Sequence, residues 1–154
     1  INILSRSVQL DFIHLKQFGV PVTYDRYVNL EHGPIPSAVK NLVDSLADDP
    51  DNSGLADTVA VRRQDGEAIQ RIVAVRKMTD GDLNLFTPSE LTVLDTVCKR
   101  FGSANAATIE RASHEEAPWR LTNFLDVIPY ELAAKDPDCL VGQEEIELAN
   151  SLLV

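Results

Sequence analysis

The segment Leu4 to Phe18 reads as one helix, stopped by Gly19 with Pro21 soon after, and it is apolar on two sides. On a 3.6-residue wheel Ile1, Leu4, Val8, Phe12 and Leu15 form one stripe, while Ile3, Leu10 and Ile13 form another nearly opposite. A helix of this kind needs cover on both sides. The chain begins with Ile rather than Met, and a further helix upstream of Ile1 is expected to supply part of that cover.

The stretch "VPVTYDRYVNLEHGPIP" is too rich in proline for a helix, and its Val, Thr and Tyr content suits an extended, partly buried connection. Pro36 stands at a first helical turn leading Ser37 to Asp49, with Val39, Leu42, Val43 and Leu46 as its apolar face. Asp57–Arg63 and Ala68–Lys77 alternate and are β-branched, and "QDGE" between them is a hairpin signal. The clearest helix is "TPSELTVLDTVCKRFG": Thr87 caps it, Pro88 opens the first turn, Glu90 completes a capping box and Gly102 closes it. Leu91, Leu94, Val97, Cys98 and Phe101 share one face, which puts Cys98 in the core. Ser103 is expected to cap a short helix to His114, followed by a turn at Pro118-Trp119 and a last amphipathic helix near Gln143 to Leu152. The fold class is therefore mainly α (α+β), a compact helical domain with one small β-hairpin inserted between helices.

With 154 residues the chain is most simply one domain, long enough to fold without staples. Its 14 basic and 24 acidic residues leave a formal charge of −10. A field of that sign repels phosphate backbones, and no Lys/Arg block is denser than a pair, so direct nucleic-acid binding is disfavoured and a basic protein partner is favoured. No apolar run approaches the roughly 18 residues of a membrane span, so no membrane partner is expected. Cys98 and Cys139 are too few and too far apart for a disulfide framework; reduced thiols in a cytoplasmic protein are the plain reading.

Two fragments stand out, "EHGPIP" and "SHEEAPW". Histidines beside acids can share general acid/base work, which makes His32 and His114 candidates for a small enzyme. No nucleophile elbow, phosphate loop or zinc spacing accompanies them, so no catalytic residue, metal site or cofactor is assigned. The plainer reading makes Gly33, Pro34, Pro118 and Trp119 structural brackets, with His32 and His114 facing each other in one polar spot. A rim of Tyr24, Tyr27, His32, Pro34, His114 and Trp119 would alternatively suit a partner interface.

The same residues carry a family resemblance. Gly19, Pro21, Asp25, Arg26, Tyr27, His32, Gly33, Pro34 and Ile35, followed by Glu90, Leu94, Phe101, Gly102, Ile109, His114, Pro118 and Trp119, stand in the order and spacing of the SocA-like antitoxin family, or Panacea domain. The similarity runs from about Leu4 to Leu121. It departs in the first helix, where "SRSVQLDFIHL" replaces a Lys-Leu-Leu-Tyr type run, and the tail matches no family motif. Residues 1–125 are assigned to the antitoxin domain and 126–154 to an extension whose last helix packs on it. The resemblance implies a non-enzymatic antitoxin that neutralises a cognate protein toxin by direct binding. The alternative it offers is an adaptor delivering the toxin to the ClpXP protease, for which "AKDPDCLVGQEEIELANSLLV" would be the tethering segment.

Overall fold

The structure, a computed structural model, describes residues 3–63 and 70–152. Ile1 of the first apolar stripe and the "QDGE" turn lie outside the described residues. Helix α1 spans Ile3–Phe18, and Gly19, at φ 81°, ends it while its N–H donates back to Leu15 O at 2.8 Å.

The two stripes of α1 become two cores. Val8, Phe12 and Leu15 pack with Tyr27, Ile128, Ala133 and Ile146 on one side. Ile13, with half-buried Leu10 beside it, packs against Val93, Val97, Phe101 and Ile109 on the other. Cover for both sides thus comes from later segments of this chain. Helices α4 (Pro88–Phe101) and α5 (Ala106–Glu115) supply one side. The other is supplied by a hairpin, a 3₁₀ turn (Tyr130–Lys135) and the last helix, α7 (Gln143–Ser151). Ile3 stays exposed. Arg6 fixes α4 from α1 by donating to the carbonyls of Phe101 and Gly102, at 3.2 and 3.0 Å, which satisfies helix-end acceptors.

The proline-rich connection is itself a hairpin, so the described residues contain two small antiparallel ribbons instead of the expected one. Strand β1 (Tyr27–Leu30) pairs with β2 (Gly33–Pro36) in the register Tyr27↔Pro36 and Asn29↔Pro34. Prolines are admissible there for a geometric reason. The N–H of Asn29 and the carbonyl of Tyr27 turn away from β2, toward Asp126 O and Ile128 N. Their partners Pro34 and Pro36 therefore occupy non-hydrogen-bonded pairs, which require no N–H. Gly33, at φ 109°, closes the turn, and a Cβ there would lie 3.6 Å from Ser113 Cβ.

Helix α2 (Ser37–Asp48) has Pro36 in its cap position, which offers no side-chain bond. Asp25, 13 residues before Ala38, caps it instead, accepting from Ala38 N at 2.8 Å and Val39 N at 2.9 Å. Of the predicted apolar face, Leu46 is buried and Leu42 exposed. The second ribbon, β3 (Val59–Arg63) with β4 (Gln70–Ala74), and the short α3 (Asp80–Leu83) lead to α4.

Thr87 and Glu90 form the expected capping box on α4. Two local expectations fail. Cys98 is exposed, because Val93, Val97 and Phe101 define the buried stripe and the helix is rotated accordingly. Helix α5 is capped by Asn105, whose side chain accepts from Thr108 N at 2.9 Å, and not by Ser103. The tail, a tether only under the adaptor alternative, folds back over α1: Leu140 N donates to Lys16 O at 2.8 Å and Ile146 is fully buried.

Phe12 lies in the middle of the first core, tilted against Tyr27 and Tyr130 at ring separations of 5.3 and 5.8 Å. Phe12→Ala is expected to lower unfolding free energy by about 3–5 kcal/mol, measured by urea denaturation followed by circular dichroism.

Candidate functional site

Between Val8 and Lys16 the helix is also buried along its polar positions, Gln9, Asp11, His14 and Lys16. Asp11 is fully enclosed, and its carboxylate accepts from Val22 N, Thr23 N and the hydroxyls of Thr23 and Tyr27. Burial pushes this carboxyl above its ordinary value, against the opposing effect of those donors. Burial, reinforced by the Asp11 charge, raises the Tyr27 and Tyr130 hydroxyls as well, so both stay neutral donors. Tyr130 donates to Asp25 O at 2.7 Å, tying the 3₁₀ turn to the α2 cap. His14 bridges Val20 O and Ser89 Oγ, at 2.7 and 3.1 Å.

The His/Pro fragments meet at the end of the β1–β2 hairpin, but the two imidazoles do different things. His32 projects into solvent, its side chain 80% exposed, with Nδ1 3.2 Å from Glu110. His114 stacks on Trp119 with ring centroids 3.9 Å apart and planes 14° apart. No hydrogen bond links the two rings among the described residues. Trp119 Nε1 donates to Leu30 O at 3.1 Å, so the indole pins α6 (Ala117–Arg120) to β1. Tyr27 and Pro34 are interior, Tyr24 is exposed at φ 54°, and Pro118 is buried at the start of α6. Of the predicted interface rim, Tyr24 and His32 therefore face solvent, His114 and Trp119 are half-buried, and the other two are covered.

Sequence reasoning passed over the segment that follows. Asn29 is buried, and its amide donates to Trp119 O at 2.9 Å and Thr122 O at 2.7 Å. Its backbone bonds Leu125 N and Asp126 O, and Val28 bridges to Val127. One asparagine thus clamps the whole loop 121–127 to the edge of β1. The clamped loop displays Leu121 at 57%, Phe124 at 62% and Leu125 at 64% exposure, beside a depression of about 350 Å³ floored by Val127, Pro129 and Leu132. Leu125 sits at φ 70°, a left-handed conformation costly for a large side chain. In the run "LTNFLDV" Leu121, Phe124 and Leu125 fall at i, i+3 and i+4, a spacing that reads as the buried face of a helical turn, so the sequence gives no hint that they point outward.

Sequence reasoning also missed a polar cluster on the other end of α6. Lys16 Nζ lies 2.7 Å from Glu116, 2.9 Å from Asp138 and 3.9 Å from Asp136. Burial alone would lower the ammonium, but its hydrogen bonds to Glu116 and Asp138 outweigh it and hold Lys16 above its ordinary value. Glu116 moves up too, to about 7, because burial and the neighbouring Asp136 outweigh an ammonium shared among several carboxylates. Among the described residues no group of three or more His, Cys, Asp or Glu side chains is arranged to hold a metal, and no helix is long and apolar enough to cross a membrane.

A family model described as "Antitoxin SocA-like, Panacea domain" matches residues 9–120. The chain belongs to the SocA-like antitoxin family. No curated protein and no solved structure matches it. The SocA-like match begins at Gln9 in α1 and ends at Arg120, so it takes in Asp11, Lys16, Asn29 and Glu116. The apolar loop, Asp136, Asp138 and α7 lie beyond it. Membership places the chain in toxin–antitoxin biology and makes a toxin its general partner.

Two outcomes follow from the SocA-like core. Asn29→Ala should cost about 1–3 kcal/mol by stranding buried carbonyls, and hydrogen exchange should show the Leu125 amide losing protection. Glu116 takes up its proton near pH 7 in the folded chain and near 4.5 when unfolded. The folded state therefore binds more protons in that window, and its stability falls as pH rises from 4.5 to 7. Glu116→Gln should flatten that decline relative to wild type in thermal melts across the range.

Proposed function

We propose that this chain is an antitoxin that neutralises its toxin by direct protein–protein contact, and that the loop 121–127 carries the contact. The observation behind this is the pairing of exposure with rigidity: Leu121, Phe124 and Leu125 stand in solvent while Asn29 and the β1 edge hold their backbone. Apolar and aromatic anchors on a preorganised frame bind with little ordering cost. The strained φ of Leu125 supports the same reading, since strain that folding does not need is retained where a side chain must be displayed. The formal charge of −10 would steer the chain onto a basic toxin surface. In this reading the family's role is binding, with no catalytic step, and His32 contributes at the margin through its exposed ring.

The test is co-expression with the protein encoded by the adjacent reading frame, scored by growth rescue and co-purification. Phe124→Ser should weaken the complex by about 30-fold or more, the loss of one anchor, while leaving the melting temperature near wild type. Leu125→Asn should keep or raise the melting temperature, because asparagine accepts a left-handed backbone, and still weaken the complex. Full rescue and unchanged affinity with both variants would remove the loop from the interface. No toxicity in the neighbour and no complex would overturn the antitoxin reading.

A further inference from the structure

The end of loop 121–127 lies beside β1 as a third, one-residue strand, and its far edge is open. Asn29 N donates to Asp126 O at 3.0 Å and Ile128 N to Tyr27 O at 2.9 Å, which makes Val28↔Val127 a non-hydrogen-bonded antiparallel pair. In such a pair the N–H and C=O of each residue point away from the other strand. Those of Val28 turn toward Ile35 of β2. Those of Val127 turn outward, and neither has a hydrogen bond among the described residues.

Both ends of this edge are closed. Pro129 offers no N–H on one side. On the other, Asp126 N closes a turn by donating to Asn123 O at 3.1 Å, and Leu125 N reaches Asn29 O in its place. Leu125 and Asp126 therefore both stand opposite Asn29, a β-bulge whose first residue, Leu125, carries the positive φ that this turn and bulge require. A proline and a bulge keep an edge from joining arbitrary strands, and they leave one paired position whose use depends on the side chains around it.

We propose that the toxin adds an extended segment to this edge, exchanging two backbone hydrogen bonds with Val127 and seating an apolar side chain in the adjoining depression. The inference rests on the direct-binding reading above and gives the partner a shape. The depression of about 350 Å³ is lined by Val127 itself, Pro129 and Leu132. Two of its polar side chains are already engaged within the chain, Asn123 donating to Asp126 at 3.0 Å and Thr122 to Pro118 O at 2.7 Å, so it suits an apolar occupant. Main-chain bonds then fix the register, while the depression and the exposed Phe124 and Leu125 supply specificity. Charge selects the toxin over a second copy of this chain. Two chains of −10 repel each other, whereas a basic partner meets Asp126, exposed next to the paired position.

The test uses the whole chain and the toxin encoded by the adjacent reading frame. With the chain labelled in nitrogen-15 and the toxin in carbonyl carbon-13, NMR of the complex should show coupling across a hydrogen bond from Val127 N to a toxin carbonyl. Val127→Pro removes that N–H. The free variant should melt near wild type, because the N–H has no partner inside the chain, and its toxin affinity should fall by about tenfold or more, since a toxin carbonyl loses its donor. A complex that lacks the coupling overturns strand addition and leaves direct binding standing; so does equal affinity of wild type and Val127→Pro. A free chain that sediments as a dimer, split by Val127→Pro, assigns the edge to a second copy and overturns the toxin segment. Absence of any complex with wild type overturns the direct-binding reading and this inference with it.

Discussion

A carboxylate buried in the middle of a helix survives only if donors surround it, and at Asp11 those donors come from two separate parts of the chain. The turn after α1 supplies two backbone amides and the Thr23 hydroxyl, and the first hairpin supplies Tyr27, while Tyr130, 3.4 Å away, gives its proton to Asp25 O. Removing Asp11 from this arrangement would leave several polar groups unsatisfied at once. Its neighbours on α1 act alike: Gln9 reaches Ser113, His14 reaches Ser89, and Lys16 reaches Glu116 and Asp138. The apolar stripes fill the volume on either side, while the polar positions decide which segment sits where.

That division of labour explains how a small domain can present a stiff surface. The β1–β2 hairpin is only a two-residue turn on four-residue strands, marginal by itself. It is held by Tyr27 below, Trp119 at its end and Asn29 along its edge. Loop 121–127 borrows this rigidity through backbone bonds to β1, so three large side chains remain in solvent without the loop collapsing onto them. His114 contributes beneath, stacked on the indole, and not as half of a histidine pair.

The family match ends at Arg120, just before the loop that the proposed binding mode uses. Asn29 and the β1 edge that hold the loop lie inside the matched region; the displayed loop lies outside it. A shared frame with separately variable contact segments is a physical route by which one fold can engage different partners. The carboxylates, visible in the sequence only as a formal charge of −10, become specific once Glu116 and Asp136 are enclosed beside Lys16, with Arg120 3.8 Å from Asp136.

Much was legible without coordinates. The two-sided wheel of α1 anticipated two cores, because helical period alone decides which side chains share a face. The Thr87–Glu90 box and the Gly19 stop are local hydrogen-bond patterns and were readable for the same reason. The hairpin in "VNLEHGPIP" was not, since proline argues against a strand unless one knows which pairs lack hydrogen bonds. Nor was the burial of Asp11, Lys16 and Asn29, which depends on donors and acceptors as many as 122 residues away, the separation of Lys16 and Asp138. Periodicity and composition by themselves determined that the chain is helical, acidic and built around its first helix. Tertiary structure alone decided that Cys98 faces outward, that Phe124 is displayed and that Asp136 meets Lys16, because each depends on what long-range packing brings together or leaves uncovered.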